Sequence, residues 1–396
     1  MLPVWKLKRE LSRIKEQVQN IPRSLAEPLL RYAHDQNRAS KLAVFGCGAP
    51  QSPKFCVLLV YQPRTFAASV LRTCDYMTAK GYNVVVVANG GLPVDQRSKV
   101  TNRAWRLIER PNFGYDFGGY RDAVHFLQDQ GISPTKLILM NDSIWFPMWT
   151  GCSVIENLET SPFDLTGLLL HVPARNEYAK DHRRLLRKRK LAEHIESYVT
   201  MVPQACFDSD AFRQFWDGYR QTDSKLMTIK RGEIGFSKAM KAAGFTVGAL
   251  SRRSAFLDDI AQQPDAFLVK TLKYAAYSDP SFEAECQHLF AHSGMADWRA
   301  KVLDHIARVV EARRFNASFC WATEQLYGTS FVKKHPDRLF QIGRMRFLEA
   351  VENGDLTCDN PEALAELRAM VAADRHLFTH YAPRIARPAR VALSVE

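Results

Sequence analysis

The sequence predicts an α/β fold in which a mostly parallel sheet is flanked by helices, with a helical segment before it and a largely helical region after it. The first observation is that short apolar runs alternate with helical stripes between residues 55 and 140. The second is a hydrophobic content of 46% in 396 residues, which is enough to bury a large core. The third is a helical pattern that dominates after about residue 255.

Apolar runs bounded by turn or helix signals predict the strands of the sheet. They are Phe55 to Tyr61, Tyr82 to Ala88, Trp105 to Glu109, Leu137 to Met140 and a further one near Phe163 to His171. One helix follows the first run with the apolar stripe Phe66, Val70, Cys74 and Met77, and another covers Arg121 to Gln130. Strands that alternate with helices in this way favour parallel pairing.

Helical segments are predicted before and after the sheet in the sequence. Residues 4, 7, 11, 14, 18 and 21 are apolar, a spacing typical of one helix stripe, and Pro22 and Pro28 are expected to break it. Glycines and prolines between 46 and 53 indicate a linker. The clearest later helices are Trp298 to Arg313 and Pro361 to Ala373. We therefore expect three regions: 1–40, an amphipathic helical segment; 41–255, the α/β domain; and 256–396, mainly helical.

The formal net charge is +12, and the excess is concentrated in residues 6–15 and in Arg183 to Lys190. Such charge suits nucleic acid, an anionic membrane surface or a phosphate-bearing substrate, and it also suits a solvated helix face. The basic run lacks interleaved aromatic residues and no recognition motif is present, which argues against nucleic acid. The N-terminal helix has three candidate partners: its own domain, a second copy of the chain, or a membrane.

No apolar run reaches the roughly 18 residues that a membrane span needs, and no secretory signal pattern is visible. We therefore expect a cytoplasmic protein. The eight cysteines form no Cys-x-x-Cys pair, so reduced thiols are expected and neither zinc nor disulfides are indicated.

Residues 110–122, which read Arg-Pro-Asn-Phe-Gly-Tyr-Asp-Phe-Gly-Gly-Tyr-Arg-Asp, are the strongest candidate for a binding loop. Glycine lets a backbone approach a ligand closely, Asn112 and Asp116 offer hydrogen bonds to a ribose or base, and Tyr115 and Tyr120 offer stacking faces. An ordinary glycine-rich turn is the alternative. About twenty residues later a buried strand runs into Asp142, and ligands of open α/β sheets bind where strands end.

Several ordered pieces resemble one family. They are residues 55–80, the strand end 84–90, Arg110-x-Asn112-x-Gly114-Tyr115-Asp116-Phe117-Gly118, Asn141-Asp142-Ser143, His194-Ile-Glu-Ser-Tyr198, Gly232-Glu233-Ile-Gly235 with Gly244-Phe245, Trp321, and Tyr327 to Lys334. Together, over about residues 54–345, they resemble the rhamnan synthesis protein F family of bacterial glycosyltransferases, which look like members of the nucleotide-sugar-dependent GT-A fold. One departure is Thr329-Ser330, where the family commonly has proline.

The resemblance implies a site for a nucleotide-sugar donor. GT-A proteins usually carry Asp-x-Asp after the fourth strand, and Asn141-Asp142-Ser143 stands there with one carboxylate. Asp142, the Ser143 hydroxyl, diphosphate oxygens and water would complete an octahedron around Mg²⁺ or Mn²⁺, although the single carboxylate leaves metal dependence open. The donor-binding residues implied are Asn89, Arg110, Asn112, Gly114, Tyr115, Asp116, Asn141, Asp142 and Ser143.

Glu233 precedes a helix with an apolar stripe, so its carboxylate is expected at that helix's N-terminus, where the dipole favours the ionised form. From spacing alone, a small contribution to helix stability is the simpler interpretation. The resemblance implies instead the carboxylate that activates the acceptor in an inverting enzyme. His194, Glu196 and Tyr198 alternate with apolar residues, so they are expected to line one strand face as acceptor or donor-sugar contacts, or to be structural.

The resemblance implies an inverting glycosyltransferase that moves rhamnose or a related deoxyhexose to a growing lipid-linked glycan, such as lipopolysaccharide or capsule. The basic segments would then face anionic lipid at the inner face of the cytoplasmic membrane. The alternative, favoured by the missing second carboxylate, is a catalytically silent protein that binds a nucleotide sugar or polysaccharide. A homo-oligomer is left open.

Overall fold

The computed structural model describes residues 26–36, 38–172, 193–312, 315–375 and 384. Over these residues the chain forms two compact units. The first takes its residues from Met1–Asp142, Leu158–Leu168 and Leu191–Ala249, and the second from Ser143–Asn157, Leu169–Lys190 and Leu250–Glu396.

Eleven strands occur in the described part of the chain. They are β1 (Ala43–Phe45), β2 (Lys54–Val60), β3 (Asn83–Asn89), β4 (Arg106–Arg110), β5 (Lys136–Asn141), β6 (Ile144–Trp145), β7 (Leu165–His171), β8 (His194–Ile195), β9 (Val199–Pro203), β10 (Val247–Ser251) and β11 (Val332–Lys333). Nine of them form one sheet in the order β1-β4-β3-β2-β5-β9-β7-β10, with β8 paired to β7, and β6 pairs with β11.

The helices are residues 26–36 (α1), α2 (Arg38–Lys41), α3 (Ala68–Ala79), α4 (Val94–Thr101), α5 (Tyr115–Asp129), α6 (Val154–Glu159), α7 (Gln204–Phe207), α8 (Asp210–Asp217), α9 (Lys225–Thr228), α10 (Ile234–Ala242), α11 (Arg253–Ala261), α12 (Asp265–Lys273), α13 (Pro280–Ala291), α14 (Trp298–Ala312), α15 (Phe315–Ser318), α16 (Cys320–Tyr327), α17 (Arg338–Glu352) and α18 (Pro361–Asp374). A π-helical segment, Ile229–Glu233, joins α9 to α10.

The centre of the sheet is parallel. β2 pairs in parallel with β3 and β5, and β3 pairs in parallel with β4, whereas β1 pairs antiparallel with β4 at one edge and β9 pairs antiparallel with β5 within the sheet. All seven residues of β3 and six of the seven in β2 are buried, as expected for parallel strands covered on both faces. The predicted α/β fold is confirmed, and the first four predicted strands lie within one residue of their expected bounds.

The strand order creates a crevice at the carboxyl ends of β2 and β5. From β2 the chain adds β3 and β4 on one side, and it then returns through α5 to place β5 on the other side of β2. This reversal is a topological switch point, the position at which open α/β sheets bind ligands.

One expectation near the start of the chain is wrong, because Pro28 lies inside α1 instead of ending a helix. As expected for a linker, residues 46–53 contain no helix or strand, and the strand β1 ends just before them. α1 packs on the first unit because Glu27 accepts hydrogen bonds from Thr222 and Arg231, both at 2.6 Å. The predicted helix over residues 4–21 and the basic run Arg183 to Lys190 lie outside the described residues.

The second unit is mainly helical over its described residues, with α14 and α18 close to their predicted bounds. Charged side chains tie its helices together. Lys270 and Lys273 of α12 pair with Asp355 at 2.8 and 3.2 Å. Glu285 of α13 pairs at 2.9 Å with His305 of α14, which is fully buried.

Candidate functional site

The predicted glycine-rich loop is a single turn followed directly by helix α5. Gly114 lies in the left-handed region with φ 86° and occupies the N-cap of this helix. The helix starts at Tyr115, six residues before the predicted start at Arg121. The predicted start was too late because glycines are poor helix formers in isolation. In the folded protein, packing against the sheet determines where the helix begins.

Two of the glycines allow α5 to lie close to its neighbours. A Cβ on Gly119 would lie 2.0 Å from the Leu59 side chain of β2, and a Cβ on Gly118 would lie 2.5 Å from the Phe113 carbonyl oxygen. The expectation was that these glycines let backbone approach a ligand. The structure gives a different reason, since they allow the close packing that brings the start of α5 to the carboxyl ends of the strands.

Arg110 and Asn89 support the loop from within the protein. The Arg110 guanidinium and the Asp122 carboxylate are both fully buried, with Nε 2.7 Å from Oδ2. The same guanidinium donates to Oδ1 of Asn89 and to the Phe113 carbonyl oxygen. Burial raises the pKa of Asp122, but the His34 hydrogen bond and the Arg110 charge outweigh it and hold the pKa below its ordinary value. Arg110 is thus placed to position the loop, with its side chain away from solvent.

Four polar side chains meet at the carboxyl edge of the sheet: Asp116, Asn141, Ser197 and Glu233, here named the carboxyl-edge cluster. Asn141 Nδ2 donates to Asp116 Oδ2 at 3.0 Å. Ser197 Oγ lies 3.4 Å from the same Asp116 oxygen and 3.0 Å from Glu233 Oε1. A hydroxyl has one hydrogen, so Ser197 donates to one carboxylate at a time. The structure therefore brings together two carboxylates that lie 117 positions apart in the sequence.

The expected position of Glu233 at a helix N-terminus is wrong. The helical stretch begins at Lys225 and continues through the π-helical segment into α10, so Glu233 lies inside it. The positive end of a helix dipole therefore does not act on this carboxylate. A Cβ on Gly232 would lie 2.4 Å from the Phe117 ring, so the glycine lets this stretch pack against α5.

The chain turns between β8 and β9, so His194, Glu196 and Tyr198 do not share one strand face as expected. All three residues are buried. His194 Nε2 lies 3.5 Å from Glu233 Oε2, which places His194 beside the carboxyl-edge cluster. Tyr198 contributes its backbone carbonyl oxygen, which accepts from the Asn141 N–H at 3.3 Å.

Asp142 lies at the switch point between β2 and β5. Its Oδ2 accepts hydrogen bonds from the Tyr61 N–H at 3.2 Å and from Gln62 Nε2 at 3.0 Å, whereas Oδ1 has no hydrogen-bond partner in the described part of the chain. Over those residues, no three or more His, Cys, Asp or Glu side chains are grouped to hold a metal ion. Ser143 belongs to the second unit, where its carbonyl oxygen accepts from the Lys334 N–H at 2.9 Å.

Two exposed tyrosines follow the strand ends of the first unit. Tyr61 is 56% exposed and Tyr115 is 42% exposed. A Cβ built on Gly90 would lie 3.7 Å from both Tyr61 Cε2 and Asn112 Cβ, so the tyrosine ring and the exposed Asn112 border the same turn. The exposed Tyr61 ring is available for stacking against a planar ligand.

Sequence reasoning missed Tyr61, Gln62 and Ser197. Tyr61 is the last residue of the first predicted strand and Gln62 follows it, so the rule that ligands bind at strand ends was a usable signal. Ser197 had no such signal, because it lies in a turn between two short strands that were predicted as one.

The fold and the cluster define a Rossmann-like α/β protein with a polar site at the carboxyl edge of its parallel strands. Residues 84–271 match the model of the family described as rhamnan synthesis protein F. The match confirms the expected resemblance, and it spans the carboxyl-edge cluster and Asp142. It connects the chain with polysaccharide synthesis.

The chain is also similar to uncharacterized protein y4gN of Sinorhizobium fredii (strain NBRC 101917 / NGR234), with 28% identity over 250 residues. That alignment covers 63% of this chain and 62% of the relative's length. Of the helices that the structure describes, none is both long and apolar enough to cross a membrane.

Proposed function

We propose that the chain is an inverting, GT-A-like glycosyltransferase that moves a sugar, rhamnose or a related deoxyhexose, from a nucleotide sugar to a growing bacterial surface polysaccharide or lipid-linked glycan. The observation that carries the proposal is the carboxyl-edge cluster, which joins Glu233 to Asp116 through Ser197 at the switch-point side of the sheet. The match to the rhamnan synthesis protein F family supports the substrate class.

In this proposal Glu233 is the general base. The acceptor hydroxyl oxygen attacks the anomeric carbon, its proton passes to Glu233, and the bond to the diphosphate breaks with its electron pair leaving on the nucleoside diphosphate. A positioned base of this kind contributes roughly 10²–10⁴ in rate. Ser197 at 3.0 Å and His194 at 3.5 Å contact different oxygens of Glu233 and orient its carboxylate.

The donor would lie along the strand ends. The Tyr61 ring is proposed to stack on the base, with Asn112 beside it, while Asp116 accepts hydrogen bonds from donor hydroxyls. Asp142 would face the diphosphate. One free carboxylate oxygen suits Mg²⁺ or Mn²⁺ only if phosphate oxygens and water complete the shell, which is how Mg²⁺ is commonly held. Such an ion would neutralise charge that develops on the leaving diphosphate.

The deciding experiment is a panel of nucleotide sugars that includes deoxyhexose donors, assayed for hydrolysis and for transfer to a rhamnan oligosaccharide with and without Mg²⁺ or Mn²⁺. The parental chain is compared with Asp142→Asn, which keeps an acceptor for Tyr61 and Gln62 but removes the charge. Asp75→Asn, a surface residue paired with Arg103, is the matched control.

We expect turnover with one donor class, its loss in Asp142→Asn and parental turnover in the control. Donor binding without turnover under every condition would instead support a catalytically silent binding protein.

A further inference from the structure

Helix α1 contacts the helical stretch of the first unit that carries Glu233. Glu27 Oε1 accepts a hydrogen bond from Arg231 of the π-helical segment, and Glu27 Oε2 accepts one from the Thr222 hydroxyl, both at 2.6 Å. The Arg231 guanidinium also donates to the Arg220 carbonyl oxygen at 3.2 Å. One carboxylate of α1 is thus bound both to the residues before α9 and to the π-helical segment that follows α9.

Thr222 extends this contact to the start of the helical stretch. Its hydroxyl oxygen accepts a hydrogen bond from the Ser224 N–H at 3.2 Å, and Ser224 is the N-cap of α9. An N-cap fixes the point at which a helix begins. Glu27 therefore holds the stretch near its first turn and again at Arg231, two residues before Glu233.

The contact between Glu27 and Arg231 is an ion pair with little exposure to water. The Glu27 side chain is 12% exposed and the Arg231 side chain 28%. Burial raises the pKa of Glu27, but the hydrogen bonds from Arg231 and Thr222 outweigh it and hold the pKa below its ordinary value. The pair is therefore ionic at neutral pH, and salt screens a partly buried pair much less than an exposed one.

Each of the two residues before Glu233 is held by a different helix. Arg231 is bound to α1, and Gly232 packs against α5, where an added Cβ would lie 2.4 Å from the Phe117 ring. π-Helical segments are rare and often occur at functional sites. Loss of either contact would let the segment shift and would change the position of the Glu233 carboxylate.

We propose that Glu27 is a positioning residue of the transfer reaction, which holds the π-helical segment through Arg231 so that the Glu233 carboxylate faces the acceptor hydroxyl. This inference rests on the proposed function, which makes Glu233 the general base. The proposed donor contacts include Tyr61 and Asp142 at the strand ends, so the effect of Glu27 falls on the chemical step and leaves donor affinity unchanged.

The test compares steady-state transfer from a deoxyhexose nucleotide sugar to a rhamnan oligosaccharide by the parental chain, Glu27→Gln and the matched control Asp35→Asn. Asp35 is also a carboxylate of α1 that pairs with an arginine, at 2.5 Å from Arg121, but Arg121 belongs to α5. Displacing a reacting group by about 1 Å costs up to roughly 10²-fold in rate. We expect Glu27→Gln to lower kcat about tenfold with the donor KM nearly unchanged, and Asp35→Asn to keep the parental kcat.

A second comparison introduces Glu27→Gln into chains that already carry Arg231→Gln or Glu233→Gln. Because Glu27 acts through these two residues in the proposal, Glu27→Gln should lower kcat no further in either background. A merely structural role would instead lower kcat and the melting temperature alike in Glu27→Gln and Asp35→Asn.

Equal kcat values for the parental chain and Glu27→Gln would overturn the inference and leave the proposed function standing. So would an additional tenfold loss when Glu27→Gln is added to Glu233→Gln, or an equal loss of kcat in Asp35→Asn. Absence of turnover by the parental chain is a separate outcome, because it contradicts the proposed function and the inference together.

Discussion

Carboxylates at the carboxyl edge of the first unit and carboxylates between the helices of the second unit are held by different kinds of donor. At the carboxyl edge of the first unit, Asp116 and Asp142 accept hydrogen bonds from amide, hydroxyl and backbone N–H groups. In the second unit, Asp355 accepts from two lysines and Glu285 from Arg308 and His305. In these examples the carboxylates paired with cations join helices, whereas Asp142 keeps one carboxylate oxygen without a hydrogen-bond partner in the described part of the chain. The contrast suggests substitutions that separate activity from stability.

The largest effect is expected at Glu233. Glu233→Gln keeps the shape and the hydrogen bond from Ser197 but removes the basic oxygen, so turnover should fall by roughly 10²–10⁴ with donor affinity nearly unchanged. Steady-state transfer assays and calorimetry with the nucleoside diphosphate separate the two quantities. Glu193→Gln, at an exposed surface pair with Lys241, is the control. Lost donor binding with normal residual chemistry would move Glu233 to the donor pocket.

The next effect concerns stability in the first unit, where the buried Asp122 is paired with a cation, as Asp355 and Glu285 are in the second unit. Asp122→Asn leaves the buried Arg110 guanidinium without its charge partner, so we expect a loss of about 3–5 kcal/mol in the free energy of unfolding. Asp129→Asn on the same helix is the matched control, because its pair with Arg38 is exposed and worth about 0–1 kcal/mol. Denaturant unfolding measures both. Equal losses would contradict the role given to the buried pair.

A smaller change in the free energy of unfolding is expected when Asp355 is protonated in acid. Burial raises its pKa, but hydrogen bonds from Lys270, Tyr274 and Lys273 outweigh burial and lower the pKa to about 2. Because the folded pKa lies below the unfolded value, the stabilisation is present above about pH 4 and is lost as the pH falls toward about 2. At neutral pH it amounts to about 2 kcal/mol.

The parental chain and Asp355→Asn should therefore differ in unfolding free energy at neutral pH and converge in acid. Asp265→Asn, which breaks an exposed pair with Arg299, is the control. A difference that stayed constant with pH would show that the substitution acts through packing instead of charge.

The smallest effect is expected at Ser197. Ser197→Ala removes one hydrogen bond to a carboxylate, so kcat should fall about tenfold with a smaller change in the donor KM, and Ser197→Thr should restore most of it. A merely structural role would lower the melting temperature of Ser197→Ala and leave kcat unchanged. That result would separate Ser197 from the positioning of Glu233.

Much of the first unit was predictable because its strands are continuous apolar runs, as β3 illustrates with seven buried residues. The start of α5 was not, because the need for Gly119 appears only when Leu59 lies beneath it. The position of Glu233 inside a helical stretch was not predictable either, because the π-helical segment that continues the helix has no distinct sequence signal. Asp142 was predicted as a site residue from its place at a strand end, whereas the contacts of Ser197 with Asp116 and Glu233 are visible only in the fold.

The direction of the Glu233 side chain depends on the number of residues in the π-helical segment Ile229–Glu233. A π turn holds one residue more than an α turn, and each residue of an α-helix advances the side chain by about 100°. Deleting one residue within this segment would restore a regular helix and rotate Glu233 away from Ser197, or rotate the preceding turn away from α5. A single-residue deletion that leaves the charge unchanged, such as deletion of Ile229, is therefore enough to dismantle the site.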